Sequence, residues 1–328
     1  MSLFLLVIMI TGVITWAVLQ FNRSQSKLPV RLGYSFSDEY ARQLGLDPIP
    51  VLETLLSEIH PHQIRLMSYW DEIEPNRGEY DFTMLDSEIA LAKQHGVSVS
   101  LAIGLRQPRY PECHAPRWEK DLAGDLQHQT LLAYEAAVIK RYGSQVDSWQ
   151  LENEASNRTF GICPKPDNKL LLSEYIQLKK LDSHPVIMNV SDEVGLPVGQ
   201  PRGNEVGISL YRRYYENQWL KRYVSYPLPS WFYRIRAALI QVYSGRPVII
   251  HELQAEPWGP TQVQWLSLAE QDKTMDATKL KAIIRFAKQT GIKQIDLWGA
   301  EWWYWRKIKA GDVSVWDAAK DIYSLNQK

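Results

Sequence analysis

Apolar and polar positions along this chain switch between two periods. After residue 30, short β-branched runs alternate with longer stretches in which apolar residues recur every three or four positions, the pattern of strands followed by helices. The strand-like runs fall at residues 30–36, 63–67, 97–103, 146–151, 185–190, 206–210, 247–251 and 294–298. The helix-like stretches fall at 50–59, 81–95, 127–142, 170–181, 230–243, 276–290 and 315–325. In the first of these, Val51, Leu52, Leu55, Leu56 and Ile59 form one face. Gly96, Gly143 and Gly291 follow three of the helices, where a glycine commonly ends a helix. Residues 191–204 are rich in Gly and Pro and leave little room for a helix. Repeated strand–helix units with one degenerate helix predict an α/β fold, a (β/α)8 TIM barrel over residues 30–328. An open doubly wound sheet is the rival, but no Gly-rich phosphate loop follows the first strand.

Residues 3–21 are apolar apart from Thr11 and Thr15 and carry no charge, a run long enough to span a bilayer as a helix. Residues 22–29 are polar and read as a linker. No small-x-small cleavage site precedes the barrel, which favours an uncleaved transmembrane anchor at residues 1–21 over a removed signal peptide. Its orientation is contested. Arg23 and Lys27 follow the apolar run, and the positive-inside rule would keep the barrel in the cytoplasm. The opposite orientation, with the barrel outside the cytoplasm, is favoured by the residues at the strand ends.

Two of the strand-like runs end on polar groups. The fourth runs into Glu152-Asn153-Glu154, and the seventh, Val248-Ile249-Ile250-His251, ends on Glu252. Apolar strands ending in polar side chains are how a parallel barrel presents chemistry at its carboxyl face. The fourth and seventh strands lie on opposite sides of the mouth, so both glutamates can converge on one ligand. Glycosidic bonds are cut by such a pair, with one carboxyl protonating the leaving oxygen while the other attacks the anomeric carbon or activates water. In a retaining enzyme the two stand about 5–5.5 Å apart. Asn153 is placed to bond a sugar 2-hydroxyl.

Composition narrows the partner. Lys plus Arg and Asp plus Glu both number 37, so no basic excess marks a nucleic-acid partner. The 13 Trp and 17 Tyr, against 7 Phe, supply flat faces with polar edges of the kind sugar rings stack on. The seven His are scattered, with no metal-binding spacing, and no cofactor motif is present. Cys113 and Cys163 are too few for a cysteine-rich metal site; both fall in loops after strands, and two thiols alone leave a disulfide open.

Trp149-Gln150-Leu151-Glu152-Asn153-Glu154 and Val248-Ile249-Ile250-His251-Glu252 resemble the two signatures of glycoside hydrolase clan A, the retaining (β/α)8 glycosidases. Ile64-Arg65-Leu66 resembles the clan's second strand. Tyr69-Trp70-Asp71-Glu72-Ile73-Glu74-Pro75 with Gly78-Glu79-Tyr80-Asp81-Phe82 is similar to the loop that follows it. The resemblance implies Glu154 as acid/base, Glu252 as nucleophile, Arg65 as support for the nucleophile and Trp298, on the eighth strand, as a sugar platform. It also implies a His or Tyr after the sixth strand holding the nucleophile; of the tyrosines in Leu210-Tyr211-Arg212-Arg213-Tyr214-Tyr215, Tyr211 is the choice. Trp70, Trp302 and Trp303 are further stacking candidates, although successive residues of Trp302-Trp303-Tyr304-Trp305 cannot all face a ligand. Residues 106–118 match no one family; His114 there reads as a solvated loop residue or as part of the cleft. Glu256 is the rival nucleophile. Glu152 is expected against Arg65 or another base at the mouth. The reading is a monomeric, membrane-anchored retaining glycosidase acting on oligo- or polysaccharide. A non-catalytic carbohydrate-binding barrel and a transglycosylase are the alternatives.

Overall fold

The computed structural model describes residues 3–122, 124–190, 194–217 and 219–326. A long helix, α1 (Leu3–Ser26), precedes β1 (Arg31–Ser35), α2 (Asp38–Gln43), α3 (Pro48–Ile59) and β2 (Gln63–Met67). The short α4 (Trp70–Ile73), α5 (Thr83–Gln94), β3 (Ser98–Ile103), α6 (Asp125–Tyr142) and β4 (Ser148–Leu151) come next. Then follow α7 (Asn168–Leu181), β5 (Val186–Val190), β6 (Glu205–Leu210) and an antiparallel hairpin, β7 (Arg213–Glu216) with β8 (Arg222–Ser225). The chain continues through α8 (Ser230–Ser244), β9 (Val248–Gln254), α9 (Leu268–Gln271) and α10 (Ala277–Gln289). It ends with β10 (Gln294–Trp298), α11 (Ala300–Lys309) and α12 (Ser314–Ser324).

Eight parallel strands close in the order β1-β10-β9-β6-β5-β4-β3-β2, the TIM barrel that the alternating pattern predicts. Alternation explains the layering. Trp149 and Leu151 of β4 are fully buried in the shell between strands and helices, while Ser148 and Gln150 point into the barrel. The interior is partly polar: Arg65, Ser100, Gln150, Asn189, His251 and Asp296 are all buried there. Gly207 of β6 belongs to this design, because a Cβ at that position would lie 2.0 Å from Oδ1 of Asn189.

Three features depart from the sequence reading. Residues 22–26, read as linker, continue α1. Ala17, Phe21 and Gln25, one face of that helix, are buried on the barrel, and Ser24 reaches Gln241 of α8 at 3.4 Å. The apolar first part of α1 stays exposed, with a mean hydropathy of 2.3, long and apolar enough to cross a membrane. The β7–β8 hairpin, α11 and the short helices α2, α4 and α9 add to the elements that the pattern predicts. Finally, β9 does not stop at His251 but runs through Gln254. Its pairing shifts register against both neighbours: Ile208 faces Ile250 while Ser209 faces Glu252, and Ile295 faces Ile250 while Leu297 faces Leu253. One extra residue at His251–Glu252 is a β-bulge. Regular alternation would send Glu252 outward with Ile250; the bulge instead turns His251 and Glu252 inward in succession, and Leu253 returns to the apolar shell.

Candidate active site

At the carboxyl ends of the strands a cleft of about 320 Å³ opens, lined by Glu154, Glu252, Asn153, Tyr211 and Trp298 among others. Glu154 follows β4 through two left-handed residues, Glu152 (φ 51°) and Glu154 itself (φ 49°). Non-glycine residues in this region carry a cost of about 1–2 kcal/mol, and such outliers gather at functional sites. Oε1 of Glu154 accepts from Ser209 Oγ at 3.0 Å and Oε2 from Asn157 Nδ2 at 2.8 Å. Ser209 is also the ladder partner of Glu252, so one β6 residue links the two acids. Burial, followed by the charge of Glu252, pushes the Glu154 carboxyl up from its ordinary value.

Glu252 is held from two sides. Arg65 Nη2 donates to Oε1 at 3.2 Å, and the Tyr211 hydroxyl donates to Oε2 at 2.9 Å. Arg65 is fully buried and also donates to Ser35 Oγ and to Gln150 Oε1, each at 2.8 Å. Gln150 Nε2 then donates to Asn153 Oδ1 at 3.0 Å, and Asn189 Nδ2 donates to the same oxygen at 3.2 Å. The platform candidate Trp298 lies beneath Arg109, whose guanidinium carbon sits 4.0 Å from its ring and 3.5 Å from that of Tyr40.

Other sequence candidates lie elsewhere. Trp70 is fully buried; its indole donates to Glu74 and stacks on Tyr134 at 5.6 Å, away from the cleft. Trp302 and Trp303 are also buried, donating to Gln271 Oε1 and to the Ala255 carbonyl, because α11 turns that aromatic run into the shell. Glu256 lines the cleft but is bonded to Arg109 at 2.6 Å. His114 is neither solvated nor in the cleft: it is buried against Tyr69, with its ring nitrogen 3.2 Å from the Arg109 carbonyl, and burial pulls it down to about 4. Cys113 and Cys163 form a disulfide with a Cα separation of 5.3 Å, tying the β3 loop to the β4 loop.

Glu152 does not meet Arg65. Its carboxyl accepts from the backbone N–H of Leu105 at 2.6 Å and of Arg106 at 2.8 Å, pinning the β3 loop. Glu135 of α6 and Glu174 of α7 join it, and oxygens of the three lie within 4.8 Å of one another. All three are buried, and burial pushes each upward, Glu152 to about 7, with mutual repulsion adding to the rise of Glu135 and Glu174. The folded protein therefore binds more protons than the unfolded chain above the ordinary value of 4.5. The trio's contribution is complete below that pH and is lost as pH rises through 7 and beyond. Thermal unfolding followed by circular dichroism should give a midpoint that falls from pH 5 to pH 8, and Glu174→Gln should flatten the fall. A variant as pH-sensitive as the wild type would remove the trio as the cause.

No curated protein matches the chain. A family model described as β-galactosidase, glycoside hydrolase family 42, matches residues 54–126, the segment that carries Arg65, the strand-two loop and Glu112. Among solved structures, a family 5 subfamily 18 enzyme from Bifidobacterium longum, in complex with Manβ1-4GlcNAc, is similar with a TM-score of 0.62 at 12% identity, covering 91% of this chain and 79% of that one. An endo-β-1,4-xylanase of family 10 from Gloeophyllum trabeum gives 0.55 at 14% identity, over 83% and 84% of the two chains. An exo-β-1,4-mannosidase from an Opitutaceae bacterium gives 0.55 at 17%, over 82% of this chain and 51% of that one. The resemblance to clan A of the glycoside hydrolases thus holds in sequence over residues 54–126 and in fold over most of the chain.

Proposed function

We propose that this chain is a retaining glycoside hydrolase in which Glu154 is the acid/base and Glu252 the nucleophile. The observation that carries the reading is the pair itself: two buried carboxyls from β4 and β9 share one cleft, and they have opposite surroundings. Glu252 has a buried guanidinium and a phenol for partners, as a carboxylate that attacks requires. Glu154 has burial and a neighbouring negative charge, which favour its protonated form. In the first step Glu154 gives its proton to the leaving oxygen while Glu252 bonds to the anomeric carbon. That bond consumes the charge on Glu252, so Glu154, now without its proton, stays ionised and can serve as the base that takes a proton from the water attacking the glycosyl-enzyme. Asn153, fixed by Gln150 and Asn189, is set to hold the 2-hydroxyl.

The lining suggests the substrate class. Four carboxyls, Glu112, Glu154, Glu252 and Glu256, face the cleft, and the one guanidinium among its lining residues, Arg109, is bonded to Glu256. An anionic sugar would find no unengaged guanidinium among those lining residues to pair with. Trp258, stacked on Phe160 and tilted against Tyr211, offers an aromatic wall. Neutral β-linked hexosides and pentosides, the class on which the similar mannosidase and xylanases act, are the expected substrates. On a panel of aryl glycosides and polysaccharides, neutral β-mannosides, β-glucosides or β-xylosides should be cleaved, and uronic-acid or sulfated polymers should not. Incubation with 2-deoxy-2-fluoro aryl glycosides should leave a covalent label on the peptide containing Glu252; a label on Glu256 would reverse the assignment. We further infer that the exposed part of α1 anchors a monomeric enzyme to a membrane with its cleft outside the cytoplasm, a reading supported by the polysaccharide class and testable by protease access in intact cells.

A further inference from the structure

Glu112 was not singled out by any sequence motif. It sits in the β3 loop, lines the cleft with Glu154 and Glu252, and is buried. Its backbone is left-handed, with φ at 73°. Several tethers fix it there. Its N–H donates to the Arg109 carbonyl at 2.6 Å, and its own carbonyl accepts from Gln107 N–H at 2.8 Å. The disulfide follows at Cys113, and Gly161 of the β4 loop lies so close that a Cβ there would stand 2.7 Å from Cβ of Glu112. A strained, desolvated acid among other acids is costly in three separate ways. A loop that only needed to close could be built without it.

The hydrogen bonds say what Glu112 is attached to. Arginine has no acceptor, so Arg65 must donate to Gln150 Oε1 at 2.8 Å. Gln150 must then turn its amide nitrogen to Asn153 Oδ1, at 3.0 Å. That leaves the Asn153 amide nitrogen facing Glu112 Oε2, at 3.1 Å. The same Arg65 donates to Glu252. One polar chain therefore runs from the nucleophile through Arg65, Gln150 and Asn153 to Glu112, with the sense of every bond set by its first member. Asn153 has two N–H groups; one is taken by Glu112 and the other is left for a ligand in the cleft.

Building on the glycosidase reading, we propose that Glu112 is a positioning residue for specificity, holding the Asn153 amide so that its second N–H meets the sugar hydroxyl beside the anomeric carbon. The charged and titratable groups around Glu112 agree with an uncharged acid. Arg106 Nη2, 3.6 Å from Oε2, favours the charged form, but the carboxyls of Glu252 and Glu154 face Glu112 across the cleft and oppose it, Tyr211 lines the same cleft, and Arg109 is engaged by Glu256. Burial, with those two like charges behind it, pushes Glu112 up to about 8.

The test compares two substrates and two variants. With a hydrolysable aryl glycoside and its 2-deoxy counterpart, Glu112→Ala should lower kcat/KM for the parent by about ten- to a hundredfold and for the 2-deoxy sugar far less. Glu112→Gln, which still offers an acceptor to Asn153, should restore most of that loss. General damage to the fold would depress both substrates together and would not respond to glutamine. Equal losses on the two substrates, or a Glu112→Ala variant as selective as the wild type, would overturn the role of Glu112 while leaving the glycosidase reading in place. A wild type inactive on every glycoside would overturn both.

Discussion

Glu252→Ala should abolish hydrolysis, with a loss on the order of 10⁵-fold or more, because a missing nucleophile removes the covalent route altogether. Glu154→Ala should cost about 10²–10⁴-fold, the usual worth of a general acid and base. The deficit should be smaller for aryl glycosides whose leaving group needs no proton. Azide separates the two roles. In the Glu154 variant the glycosyl-enzyme still forms on Glu252, and azide, a nucleophile that needs no base, attacks it. The product is a glycosyl azide of retained configuration. In the Glu252 variant azide takes the place of the missing carboxylate, so that the product is inverted. Proton NMR of the anomeric centre reads the difference. Retained azide from the Glu252 variant, or full activity in either, would sink the assignment.

That assignment depends on features of unequal legibility in the sequence. The barrel was readable because period and polarity agree over most of the chain; residues 63–67 and 294–298 are strands to the residue, β2 and β10. Glu154 was readable because β4 ends before it. Glu252 faces the cleft for a reason that alternation does not supply. The apolar run ends at His251, whereas β9 continues through Gln254 and a bulge turns the Glu252 side chain inward. A bulge depends on the register of neighbouring strands, which alternation within one strand does not carry. Trp70 and Trp302 failed because residue type says nothing about side. The short helix α4 and the helix α11 carry both indoles into the shell, where buried acceptors meet their N–H groups. Glu112 left no signal beyond an acid next to a cysteine in an unmatched loop. Glu135 did leave one: it lies among Leu131, Tyr134, Val138 and Ile139 on the buried face of α6, an acid at an apolar position.

Arg65→Met should lose about 3–5 kcal/mol of stability, the cost of removing one partner from a buried ion pair. Arg65 is wholly enclosed, and its three nitrogens serve Ser35, Gln150 and Glu252. Methionine fills much of the volume but donates nothing, so the Glu252 carboxylate keeps only the Tyr211 hydroxyl. Gln150 loses the bond that fixes which way its amide faces, and with it the orientation of Asn153. Activity should therefore fall further than it does in variants at the far end of the same chain, such as Glu112→Gln. Arg65→Lys separates charge from shape. The ammonium keeps a counter-charge for Glu252 but lacks the planar fork that meets three acceptors at fixed angles. It should recover part of the stability in urea unfolding and little of the kcat. An Arg65→Met protein within about 0.5 kcal/mol of the wild type, the margin of ordinary surface changes, would mean that the guanidinium does not hold the two halves of the cleft together.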